Sequence, residues 1–241
     1  MRVKVVNNYE ILSKEAESVF LEAIKLKEKP IFGLATGSTP IGLYKNLVNS
    51  FNEGKISFKD AKTFNLDEYI GLSKEDTRNY KSFMNENLFS KVDIDLKNTF
   101  FPDVYNKDLK QSCLSYSKLL SNYKRDIQIL GLGENGHIAF NEPGTEFNSK
   151  THIVKLTEST IKANSRFFKS LEETPSSAIT MGIEEILNAH LILLLVAGEK
   201  KKEALKILLD GKITIECPAS ALLNNPNLII ICDKEAYPYK E

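Results

Sequence analysis

Residues 127 to 144 read Ile-Gln-Ile-Leu-Gly-Leu-Gly-Glu-Asn-Gly-His-Ile-Ala-Phe-Asn-Glu-Pro-Gly. An apolar run of strand length empties into a turn that carries an amide (Asn135), an imidazole (His137) and a carboxylate (Glu142). Imidazole is the side chain that exchanges protons most readily near neutral pH, and close polar neighbours can hold its ring in one tautomer. This is the composition of an acid–base site. Gly131-x-Gly133-x-x-Gly136 spells the dinucleotide-binding fingerprint, but that motif needs a helix to open at its last glycine. Pro143 follows too soon, and proline disfavours helix at the residue before it. The glycines are therefore expected to let the backbone turn sharply and approach a small ligand.

Three other clusters could serve the same site. Thr36-Gly37-Ser38-Thr39 lies between an apolar run and a helix start, where hydroxyls and free N–H groups suit a phosphate. Ordinary helix capping is the alternative, and no Gly-Lys-Ser/Thr is present to suggest a nucleoside triphosphate. Asp67-Glu68 ends an apolar strand, and a carboxylate there, partly desolvated, could act as a base on carbon. Either acid could instead cap the next turn. Cations come from Arg166, beside two phenylalanines, and from Lys200-Lys201-Lys202. The guanidinium fork suits phosphate oxygens, although an arginine beside aromatics can simply stack. One lysine of the run could reach the same phosphate while the others face solvent. A metal centre needs more ligands than one histidine and scattered acids supply, so none is expected.

Composition narrows the partners. The 241 residues carry 32 Lys+Arg and 32 Asp+Glu, a net charge of zero that favours neither nucleic acid nor a membrane surface. Three cysteines without CxxC spacing are expected to be reduced and buried. The N-terminal residues lack a signal-peptide core, and the longest apolar run, Leu191 to Ala197, is too short to span a bilayer, so a cytoplasmic protein is expected.

The elements that must position these groups alternate. Strands are expected at 3–6, 31–35, 61–66, 99–102, 127–130, 152–156, 191–197 and 228–232. Helices are expected at 13–27, from Thr39 as N-cap and Pro40 as first residue through 51, and at 80–89, 109–123, 159–169 and 200–209, with a mixed stretch at 178–188. The all-apolar run at 191–197 implies burial on both faces, as in a parallel sheet. The expected fold is a single α/β domain over residues 1–241, with one doubly wound, mostly parallel sheet of Rossmann-like topology. The clusters at 36–39, 67–69, 131–142 and 198–201 then fall just beyond strand C-termini, where such folds bind ligands.

Leu34-Ala35-Thr36-Gly37-Ser38-Thr39-Pro40, Phe64-Asn65-Leu66-Asp67-Glu68-Tyr69, the segment Gly131–Pro143 and Ala163-Asn164-Ser165-Arg166-Phe167-Phe168 together resemble, in order and over nearly the whole chain, the glucosamine-6-phosphate deaminases. The resemblance implies conversion of glucosamine 6-phosphate and water into fructose 6-phosphate and ammonia, with no cofactor and no metal. By motif, Asp67 matches the enolisation base, His137 the ring-opening acid/base and Glu142 the residue assisting it. Asn135 stands where many members carry aspartate, so the histidine is expected to lose a charged partner. Thr36, Gly37, Ser38, Thr39, Arg166 and Lys201 match the phosphate site. The resemblance extends to 6-phosphogluconolactonases, which lack the Asn141-Glu142-Pro143 ending, and to non-catalytic sugar-phosphate sensors, against which Asp67 and His137 together argue. Larger hexameric members are activated by N-acetylglucosamine 6-phosphate through an arginine and a lysine that here align with His152 and Val154. A monomer or small homo-oligomer with hyperbolic kinetics is therefore expected.

Overall fold

The computed structural model describes residues 1–239. Its elements are β1 (Arg2–Val6), α1 (Tyr9–Ile24), β2 (Ile31–Leu34), α2 (Ile41–Asn52), β3 (Lys62–Asn65), β4 (Asp67–Tyr69), α3 (Tyr80–Asn87), β5 (Thr99–Phe100), α4 (Leu109–Ser121), β6 (Ile127–Gly131), β7 (His152–Lys155), α5 (Glu158–Asn164), β8 (Ser177–Thr180), α6 (Ile183–Leu187), β9 (Leu191–Val196), α7 (Lys202–Leu209) and β10 (Leu228–Asp233).

Seven strands form one parallel sheet in the order β1-β10-β9-β6-β2-β3-β5. Strand order reverses between β2 and β6, the switch point at which such sheets open a crevice. Adjacent strand residues point to opposite faces, and the aromatic contacts show which helices cover which face. Phe32 shares its face with Thr63 and meets Phe20 of α1, with ring centroids 4.8 Å apart. Phe64, on the other face, stacks on Phe100 and packs against Tyr123, just beyond α4. Helices therefore clad both faces, and β9 and β10 between them are almost wholly buried. Cys113, Cys217 and Cys232 are free and buried.

The expected sheet is there, but the chain also forms a second, antiparallel one, β4-β8-β7. The two sheets part at Leu66. Its N–H still donates to Leu34 O of the first sheet, at 3.3 Å, while its carbonyl accepts from Met181 N, at 2.7 Å, beside the second. Asp67 is thus the first residue beyond the switch.

The starts of α1 and α2 differ from expectation. Helix α1 begins four residues early because Asn8 caps it, its side chain accepting from Ile11 N at 3.0 Å. Helix α2 has Pro40, not Thr39, at its N-cap, and no side chain caps it. Proline's ring-restricted φ, here −80°, suits the cap position, which moves the boundary one residue on. The helix expected over 159–169 is shorter: α5 ends at Asn164 and one tighter turn, Ser165–Phe167, carries Arg166.

Candidate active site

Strands β9, β6, β2 and β3 are neighbours, so the loops beyond their C-termini meet at one edge of the sheet. Each loop brings one of the sequence clusters.

The loop after β6 is shaped by its glycines. A Cβ on Gly133 would lie 2.4 Å from the His137 ring, so only glycine leaves room for the imidazole. Gly136, at φ +87°, and Ala139, at φ 52°, turn the chain through left-handed conformations. The turn is pinned where Gly133 N donates to His137 O at 2.8 Å. Phe140 N then donates to Thr180 Oγ1 at 3.1 Å, and Asn141 Nδ2 to Met181 O at 2.9 Å. Thr180 is also the pairing partner of Asp67. Strand β8 therefore holds the histidine loop and the acid strand in one register.

Within that loop the hydrogen-bond directions are determined. A carboxylate only accepts, so Asn135 turns its Nδ2 to Glu142 Oε2, at 2.8 Å. That leaves Asn135 Oδ1 facing His137 Nδ1 at 2.7 Å, and an amide oxygen only accepts. His137 therefore carries its proton on Nδ1, and its Nε2 is the atom able to take one. Glu142 Oε2 also stands 3.5 Å from His137 Nδ1. The amide at 135 thus relays Glu142 to the ring, and Glu142 places a carboxylate charge beside it. Burial pushes the Glu142 carboxyl up, but hydrogen bonds from His137, Thr160 and Asn135, with the His137 charge, outweigh it and hold the pKa at about 2.

Asp67 is 5% exposed. Burial, with the neighbouring Glu68 charge adding to it, pushes its carboxyl well above the usual carboxylate range. The two acids left open as alternatives are in different situations. Glu68 accepts backbone N–H bonds from Tyr69, Tyr80 and Lys81, at 2.8, 2.9 and 3.0 Å. Its carboxylate is committed to the start of α3.

Thr36 to Thr39 span the β2–α2 turn. Tyr9, a residue that sequence reasoning missed, braces it: Gly42 N donates to its hydroxyl at 2.8 Å, and that hydroxyl reaches Ser38 O and Thr39 O at 3.1 and 3.0 Å. Arg166 Nη2 donates to Ser38 Oγ at 3.2 Å. Lys201 is half-buried; burial pulls its ammonium pKa down, Glu134 opposing this and Arg166 adding to it, so the two cations lie within electrostatic reach. Lys200, 81% exposed at its side chain, faces solvent beside Glu134. A cleft of about 970 Å³ lined by Leu72, Arg78, Arg166, Phe168 and Glu173 shares only Arg166 with these clusters. The catalytic candidates lie outside it.

Sequence reasoning also missed Tyr80, whose hydroxyl donates to Tyr69 at 3.0 Å and meets Thr36, and two threonines on Glu142. Thr160 donates to Glu142 Oε1 at 2.6 Å, and Thr157 lies 3.2 Å from the same oxygen. The only signal for them was Thr157 as a helix N-cap.

Residues 9–230 match the family of glucosamine-6-phosphate isomerases and 6-phosphogluconolactonases. A glucosamine-6-phosphate deaminase of Oceanobacillus iheyensis is 49% identical over 237 residues, 98% of this chain and 95% of its own length. A solved monomeric glucosamine-6-phosphate deaminase superposes with a TM-score of 0.96 at 43% identity, over 98% of both chains. A solved 6-phosphogluconolactonase of Leishmania guyanensis, 20% identical over 98% of this chain and 97% of its own, reaches a TM-score of 0.75 and is alike in fold alone.

Proposed function

The chain belongs to the glucosamine-6-phosphate isomerase and 6-phosphogluconolactonase family, and we propose that it converts D-glucosamine 6-phosphate and water into D-fructose 6-phosphate and ammonia. The observation that carries this is the pairing of two different proton-transfer groups at one sheet edge: an imidazole with a free Nε2, and a buried, high-pKa carboxylate. Hydrolysis of a lactone needs no base on carbon.

The phosphate dianion would sit on Thr36, Gly37, Ser38 and Thr39, with Arg166 and Lys201 neutralising it. His137 Nε2 takes the proton of the anomeric hydroxyl and delivers one to the ring oxygen, opening the pyranose to the amino aldehyde. Glu142, ionised and relayed through Asn135, favours the imidazolium formed in between. Asp67 then removes the C2 proton. The C2–H electrons form the C1–C2 double bond as the carbonyl oxygen is protonated, giving an enolamine. Returning the proton to C1 leaves an imine at C2. Water adds there and ammonia leaves, so the atoms balance without a cofactor. Each general acid or base of this kind contributes roughly 10²–10⁴-fold.

The finer reading is a single catalytic domain over residues 1–241, acting as a monomer or small homo-oligomer in the cytoplasm. The monomeric relative at 43% identity supports it. The experiment is a coupled assay for ammonia and fructose 6-phosphate with purified chain. Product from glucosamine 6-phosphate is expected; hydrolysis of 6-phosphogluconolactone without ammonia release would overturn it.

A further inference from the structure

Glu142 is held from two sides. Its Oε2 faces Asn135 and His137, while its Oε1 accepts from Thr160 Oγ1 at 2.6 Å. Thr160 is 4% exposed, and its one hydroxyl proton is committed to that bond. Thr157, at 3.0 Å from Thr160 Oγ1 and 3.2 Å from Glu142 Oε1, backs it with a second hydroxyl. Both belong to the start of α5, the helix whose far end leads into the turn carrying Arg166. One short segment therefore touches the acid–base relay at one end and Ser38 at the other.

We propose that Thr160, backed by Thr157, is a positioning residue for ring opening: its hydroxyl fixes Glu142 in the rotamer from which the carboxylate reaches Asn135 and His137. The inference rests on the deaminase reading. A carboxylate without that donor would rotate and would also become more basic. His137 is the titratable group facing Glu142, from its own loop; the groups facing it from α5, Thr157 and Thr160, are neutral, as is Asn135. The rotated carboxylate would no longer hold Asn135 and, through it, the His137 ring in the orientation that ring opening uses.

The test measures kcat and KM for glucosamine 6-phosphate by ammonia release near neutral pH for the full chain, Thr160→Val and Thr160→Ser. The valine variant should lose kcat about tenfold, the worth of one hydrogen bond, with KM within about threefold. Serine should restore kcat. A valine variant with the parent kcat, a serine variant as impaired as valine, or a rise in KM alone would overturn the proposal. If valine prevents folding, Thr160→Cys against Thr160→Ser makes the same comparison, because a thiol is only a weak donor; equal kcat in those two overturns it. Parent chain that releases no ammonia would instead remove the deaminase reading itself.

Discussion

Asp67 sits almost out of water beside a second acid, a placement that suits a base and costs stability. A carboxyl whose folded pKa is raised contributes stability fully present below its unfolded value, near 4, and lost as pH rises through the folded value. Asparagine has no proton to lose there. Asp67→Asn should therefore melt at higher temperature than the parent at pH 7, with the difference closing below about pH 4. Its turnover should fall by roughly 10²–10⁴ with KM little changed, since an amide cannot accept the C2 proton. Near-normal turnover would move the base elsewhere. Arg166 reaches Ser38 from the turn after α5. Arg166→Ala should raise KM by at least about tenfold, a charge-assisted hydrogen bond being lost, and an unchanged KM in steady-state assays would remove it from the phosphate site.

At the scale of elements, Glu68 is what joins β4 to α3. Its carboxylate collects three backbone N–H groups, two of them from the first turn of that helix. A helix start leaves such donors without intrahelical partners, so a buried acceptor there fixes where the helix docks. Tyr80 follows in the same turn and packs on Tyr69, with ring centroids 4.6 Å apart. Glu68→Ala, which strands those donors, should destabilise the fold by about 2–3 kcal/mol, read from the denaturant midpoint. Glu68→Gln keeps an acceptor and should lose less. Equal losses in the two variants would show that the carboxylate does not hold the helix.

At the scale of the whole molecule, the small antiparallel sheet bears on regulation. Val154 in β7 packs inward against the cluster formed by Tyr69, Phe140 and Ala178, and the His152 ring is engaged with Lys150 O at 2.8 Å. Neither side chain offers an anion a fixed cation, the feature the resemblance led one to look for at these positions. Initial rates against glucosamine 6-phosphate should therefore be hyperbolic and insensitive to N-acetylglucosamine 6-phosphate, because coupling needs a second anion site and these two side chains supply no cation for one. A sigmoidal curve straightened by the acetylated sugar would reveal such a site.

Much of this architecture follows from local physics, and so was legible in the sequence. Apolar runs and helical spacing located the parallel strands and most helices, and the four chemical clusters stood just past strand ends. The glycines around His137 marked a turn rather than a dinucleotide loop, because Pro143 bars the helix that motif needs. What the sequence could not carry is pairing between distant segments. Leu66 switches sheets because Leu34 and Met181 lie on its two sides, and only the packed fold puts Met181 there. Glu68 parted from Asp67 as a structural acid once α3 docked on it. Lys201, half-buried, parted from the solvent-facing Lys200 by burial. Arg166 meets Ser38 across 128 residues, and Thr160 meets Glu142 across 18. Propensity and periodicity act over a turn or two of chain, whereas these contacts depend on how whole elements pack, so tertiary structure decided them.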